Sequence, residues 1–131
     1  MITQKIRLIA EGIKVAEGWL PNTYQRSDIP GSRSYRNHNP GNLRSSPFAL
    51  NEHDSYAYFL DDEIGMFALL YDLHAKINGK SMHIKPEGKT LYDLLRVWVA
   101  PTEEGSFNNY VDIVERISEV KRDTPLTDLQ K

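Results

Sequence analysis

The sequence predicts a mainly helical domain built around one central buried helix, with a long loop or short β-hairpin region after the first helix. Three observations carry that expectation. Four segments place apolar side chains at the spacing of an amphipathic helix, and one of them, 62–78, is apolar on almost every side. Residues Pro21 to Asp54 are instead dominated by Pro, Gly, Ser, Asn and Arg without a sustained period. A helix apolar nearly all round belongs in the interior. An irregular stretch of such length in a compact domain is usually functional or disordered. The 131 residues suffice for one domain with its own core and are too few for two, so 1–131 is read as a single unit.

Each element follows from its own pattern. Residues 4–18 align Ile6, Ile9, Ala10, Ile13 and Ala16, with Thr3 placed to cap the helix. "SYAYF", 55–59, alternates enough for a short strand. The helix 62–78 opens at Asp61 or Asp62 and closes at Gly79. It carries Ile64, Phe67, Ala68 and Tyr71 on one side and Met66, Leu70, Leu73 and Ile77 on the other. Thr90 caps a helix bearing Leu91, Leu94, Leu95 and Trp98, which Pro101 ends; its leucine neighbours assign Trp98 to the core. Ser106 starts a fourth, turning Phe107, Tyr110, Val111, Val114 and Ile117 inward. No internal repeat or low-complexity linker interrupts the chain.

Composition excludes several classes of function. Forty per cent apolar and 26% charged residues describe a soluble globular chain, and no apolar run approaches the length of a membrane span. Residues Met1 to Arg7 lack the basic-then-apolar layout of a secretory signal, so synthesis in the cytoplasm without a signal peptide is expected. A net charge of −2 encodes no general grip on nucleic acid or an acidic membrane. With no cysteine, thiolate chemistry is excluded, and His38, His53, His74 and His83 include no pair at helical metal-ligand spacing. No metal or cofactor is expected.

The first helix contains the same dipeptide twice, as Glu11-Gly12 and Glu17-Gly18. At roughly 100° per residue counted from Ile6, Ile13 falls near 340° and Glu17 near 20°, inside the inward stripe, whereas Glu11 falls near 140°. Glu11 lies beside Arg7 and Lys14 and is a solvated partner of both. Glu17 shares the isoleucine stripe, where lost hydration disfavours its charged form and raises its pKa. Bending out to water, or pairing with an arginine of the next loop, is the competing fate of a carboxylate at a helix end.

Residues 36–44 read "RNHNPGNLR", three amides in nine residues between two arginines. Pro40 suits the second position of a type II turn and Gly41 the third, where φ must be positive. Asn39 and Asn42 then project from a stiff backbone, and neutral amides that both donate and accept suit a ligand rich in amides and hydroxyls, such as an N-acetylated sugar. Hydrogen bonding to their own loop is the other use of turn asparagines. Arg26, Arg33, Arg36 and Arg44 concentrate positive charge in this region, either for carboxylates of a ligand or as solvated surface.

The combination of "AEGW", "PGSRSYRNHNPGNLR", "FLDDEIGMFALL" and "WVAPTEEGSFNNY" resembles a family of phage and prophage lysozyme-like proteins, the peptidoglycan-degrading muramidases and lytic transglycosylases. The resemblance runs from about Ile9 to Val114. Its most specific element is "RNHNPGNLR", where relatives commonly read Arg-Asn-Asn-Asn-Pro-Gly-Asn and then Ile or Leu. It implies a lysozyme-like helical fold with a glycan-binding cleft, the glutamate ending the first helix as general acid and the Asn-Pro-Gly-Asn turn in the cleft wall. Carried over by position, the acid is Glu17, and Arg36, Asn39, Gly41, Asn42 and Tyr110 are substrate contacts. Ala100, Pro101, Glu104 and Tyr110 keep the family's spacing. His38 and Gly105 replace asparagines, Phe107 replaces a small polar residue, Trp98 comes one position early, and the loop from Trp19 to Pro30 is longer than usual.

The expected partner is the peptidoglycan glycan strand, reached by a monomer after phage delivery, lysis or particle-mediated export, with other virion proteins as further partners. Cleavage of the β-1,4 bond between N-acetylmuramic acid and N-acetylglucosamine needs a proton on the leaving oxygen. A hydrolase adds a second carboxylate, about 5 Å away for retention or 6.5–9.5 Å for inversion. Asp28, Glu52, Asp54, Asp61 and Asp62 are available for that role. Without one, Glu17 acts alone and yields a 1,6-anhydro sugar, the outcome favoured because no carboxylate has a compelling position. The alternative is a virion or baseplate component that binds glycan or protein without cleaving it. A nucleic-acid module built on the arginines lacks interleaved stacking aromatics.

Overall fold

The computed structural model describes residues 2–21, 31–53, 55–99 and 104–131, the side chain of Glu104 excepted. Arg26, Asp28, Pro30, Asp54, Ala100 and Pro101, invoked above, lie outside the described residues. Five α-helices and a two-stranded antiparallel sheet appear among those described: α1 (Gln4–Ala16), α2 (Arg33–Arg36), β1 (Asn51–His53), β2 (Tyr56–Tyr58), α3 (Asp62–Ile77), α4 (Leu91–Trp98) and α5 (Glu104–Ser118). A short 3₁₀ turn follows at Leu126–Leu129.

Local chemistry sets the helix ends. The Thr3 hydroxyl accepts from the Ile6 N–H at the start of α1, and the Asp61 carboxylate accepts from Ile64 at the start of α3. Thr90 and Asp93 form a reciprocal capping box on α4. The last helix begins at Glu104, two residues before the Ser106 expected from sequence.

The main core joins Ile6, Ile9 and Ile13 of α1 to Leu69, Leu73 and Ile77 of α3, Leu91, Leu94 and Leu95 of α4, and Phe107, Val111 and Val114 of α5. Trp98 packs half-buried on its edge. A smaller cluster of Ala57, Phe59 and Ala68, with Leu43, Phe48 and Ile64 against it, seats the β-hairpin and the preceding loop on another side of α3.

Thus α3 is covered on two sides rather than all round, which corrects the expectation of a fully buried central helix. Phe67 and Tyr71 remain 49% and 51% exposed, with their rings edge-on to Phe48. The strand expected at 55–59 is β2, and its partner β1 lies in the stretch read as loop. That stretch also holds the single helical turn α2.

The C-terminal segment is tied to the start of α4 and the end of α3. Leu126 and Leu129 are fully buried, and the carbonyls of Thr124 and Arg122 accept from the otherwise unpaired N–H groups of Leu91 and Tyr92 at the start of α4. The Gln130 amide donates to the carbonyl of Ile77 at the end of α3. No helix among the described residues is long and apolar enough to cross a membrane.

Candidate active site

Three elements meet at the carboxyl of Glu17. Helix α1 ends there because Gly18 takes a left-handed conformation, φ +80°, that a side chain would strain. The Gly18 N–H then bonds to Val15 O and the Trp19 N–H to Lys14 O, the paired pattern of a Schellman closure. Glu17 is held as the last residue before this reversal, with helical φ and its own N–H on Ile13 O. The same dipeptide at Glu11 lies mid-helix, where Glu11 is exposed.

From α5, Tyr110 reaches across and donates its hydroxyl to Glu17 Oε2 at 2.6 Å. It is only 8% exposed and stands two turns into α5, on the inward stripe that the sequence predicts. From the loop, the Asn42 Nδ2 lies 3.4 Å from Glu17 Oε1, a long contact at the limit of a hydrogen bond. Asn42 Oδ1 is buried without a partner among the described residues.

The turn that delivers Asn42 is built differently from expectation. The Asn42 N–H bonds to Asn39 O, closing a four-residue turn, yet the left-handed residues are His38 (φ +53°) and Asn42 (φ +49°) rather than Gly41, so it is not a type II turn. Gly41 serves packing: a Cβ there would sit 2.8 Å from Leu69 Cδ1 and 3.2 Å from Trp98 Cζ2. It is buried beneath those side chains.

Asn39 is likewise withdrawn. It is fully buried, donates to the carbonyls of Leu43 and Ala57, and accepts from the Leu43 N–H, so its amide holds the loop to β2. Arg36 donates to Gly31 O at 2.7 Å and braces the loop rather than meeting Glu17. Of the six site residues read from sequence, the structure gathers Glu17, Asn42 and Tyr110 and places Asn39, Gly41 and Arg36 in supporting roles. Arg33 joins the first group electrostatically, a role its position among several arginines did not signal.

Burial is the largest influence on Glu17 and raises its pKa above the ordinary 4.5; the Tyr110 hydrogen bond, then Asn42, then the charge of Arg33 oppose it without reversing the direction. Burial and the neighbouring carboxylate push Tyr110 well above its usual range, so it remains a neutral donor. The folded protein therefore holds the Glu17 proton to a higher pH than the unfolded chain. Ionising it destabilises the fold as pH rises from 4.5 through the raised value. Glu17→Gln is expected to gain stability relative to the parent across that window and to keep the gain above it, read from urea midpoints at stepped pH. Parallel curves for the two proteins would refute the shift.

Of the remaining carboxylates, Asp61 caps α3, Asp62 pairs with His38 Nδ1 at 2.7 Å, and Glu52 stands exposed on β1. No group of three or more His, Asp or Glu suited to a metal occurs among the described residues. Comparison with models of protein families, with curated proteins and with solved structures finds no match to this chain.

Proposed function

We propose that this protein cleaves peptidoglycan glycan strands at the β-1,4 bond between N-acetylmuramic acid and N-acetylglucosamine, with Glu17 as general acid in a lysozyme-like domain. The observation that carries the reading is a partly exposed carboxyl whose burial favours its proton, held between the Tyr110 hydroxyl and the Asn42 amide. The family resemblance of "RNHNPGNLR" and "AEGW" points the same way.

In this mechanism the Glu17 proton passes to the leaving oxygen as the C1–O bond breaks. Tyr110 and Asn42 stabilise the carboxylate left behind. Asp61 and Asp62 are engaged elsewhere, so a single-residue route is preferred to a two-carboxylate hydrolysis. The Glu17 carboxylate then takes the proton of the sugar's 6-hydroxyl while that oxygen bonds to C1. A 1,6-anhydro end forms and the acid is restored.

Mass spectrometry of digested sacculi tests the proposal. Anhydro ends are expected. Reducing ends would replace the transglycosylase by a hydrolase, and bound but intact sacculi would overturn cleavage in favour of a binding component of a phage particle.

The pH profile carries a second test. The Tyr110 hydrogen bond favours the charged form of Glu17, so Tyr110→Phe raises the Glu17 pKa further. The alkaline limb of activity, where the acid loses its proton, is expected to move to higher pH. An unmoved limb would separate Tyr110 from the acid.

A further inference from the structure

Two cations on the loop side share one aromatic ring and make no direct ion pair with a described residue. The guanidinium carbon of Arg33 lies 3.7 Å from the Tyr56 ring centroid, and that of Arg44 lies 4.6 Å from it. Both therefore fall within ~8 Å of each other, close enough for like-charge repulsion to be felt. Neither guanidinium donates a hydrogen bond to, or pairs with, a described side chain, and Arg33 Nε is buried without a partner. A cation–π contact of this kind leaves the in-plane donors of a guanidinium uncommitted.

The backbone joins this pair to the acid. The Ala57 N–H donates to Leu43 O at 2.9 Å, which sets Tyr56 beside Arg44, and Asn42 on the other side of Leu43 extends its amide to Glu17. The charge of Arg33 is itself felt at the Glu17 carboxyl. A planar guanidinium matches a carboxylate with two parallel N–H···O bonds, and two such groups held by one ring offer a preformed receptor for it.

We propose that Arg33 and Arg44, held on Tyr56, form a subsite for a carboxylate of the ligand, making acidic amino-sugar strands rather than neutral ones the substrate class. This rests on the glycan-cleaving reading of Glu17. The carboxylate is either the lactyl group of muramic acid or one on its stem peptide. Its arrival offsets the Arg33 charge that favours ionised Glu17, so the correct ligand helps to keep the acid protonated.

The test is equilibrium binding to the Glu17→Gln protein, in which turnover is blocked. Three probes are compared at low salt: a peptide-free muramic-acid tetrasaccharide, its lactyl methyl ester, and the same sugar carrying stem peptides in amide linkage. A carboxylate-bearing probe is expected to bind ~10- to 100-fold more tightly than the ester, as a charge-assisted pair would give. Preference for the peptide-free acid assigns the lactyl group, and preference for the stem-peptide form assigns the peptide.

Arg33→Gln with Arg44→Gln is expected to reduce the favoured probe to the level of the ester. Arg44→Gln alone, at an exposed side chain, should keep the parent's melting transition and lose part of the preference. Equal binding of all probes, binding of none, or a preference that survives both substitutions overturns the subsite. The two readings fail separately. If the parent and Glu17→Gln digest sacculi equally while the carboxylate preference persists, the subsite stands without the reaction. If digestion depends on Glu17 but no preference exists, the subsite alone falls.

Discussion

Glu17→Gln is expected to slow release of fragments from purified sacculi by about 10²- to 10⁴-fold, the usual worth of a positioned general acid. Glutamine keeps the size of the side chain and an oxygen to accept from Tyr110, so the packing between α1 and α5 survives. Only the transferable proton is lost. Because the same change removes a carboxylate that burial disfavours, activity should fall while stability near neutral pH rises. A residue present for folding alone would move both in the same direction. Equal fragment release by the two proteins would refute cleavage by Glu17 and favour glycan binding without chemistry.

Gly65→Ala should be the most damaging conservative change to the fold. A Cβ at position 65 would lie 1.8 Å from the carbonyl oxygen of His38, 2.9 Å from its carbon and 3.0 Å from Pro40 Cδ. The nearest atoms are backbone, so no rotamer relieves the clash, and α3 must separate from the loop. Alanine is the better helix former by ~1 kcal/mol, but overpacking of a rigid contact typically costs ~1–3 kcal/mol and occasionally more. An approach of 1.8 Å to a backbone oxygen puts the steric cost at or above the top of that range, so a net loss of about 2 kcal/mol or greater is expected in denaturant midpoints. Displacing His38 and Pro40 also displaces Asn42, so activity should fall among the molecules that still fold. Gly105→Ala is the control, since that helical glycine is exposed and a Cβ there meets nothing within 4 Å. Equal stabilities for the two alanine variants would mean that the loop does not rest on α3 as described.

The helices were largely legible because their determinants are local. Thr3, Asp61 and Thr90 cap where side-chain chemistry says they should, and the stripe through Ile6, Ile9 and Ile13 separates Glu17 from Glu11 on helical geometry alone. What covers a helix is not local. Phe67 and Tyr71 extend the apolar pattern of α3, yet the hairpin that packs on this helix stops at Ala68 and Ile64. The strand β1, "NEH", has no strand propensity of its own and exists through pairing with β2.

The turn that Asn39 to Asn42 make is not of the type their residues predict. Gly41 and Gly65 are small because another element crosses them, a reason invisible in a local window. Asn39 shows the same limit. An amide that looks presented to a ligand is consumed by Leu43 and Ala57, and only distant packing decides between those uses. The stacking of Arg33 and Arg44 on Tyr56 likewise joins residues more than ten positions apart.

The segment after α5 has a consequence for biosynthesis. Helix α4 takes acceptors for its first turn from Arg122 and Thr124, and the core is closed by Leu126 and Leu129. A nascent chain emerging from the ribosome therefore cannot finish its interior until residues near 130 have cleared the exit tunnel. Such long-range closure slows folding. During translation the apolar face of α1 waits for α5, and the end of α3 and the start of α4 stay open to chaperones until residues 122–130 arrive, so a product stalled before them would be a substrate for proteolysis.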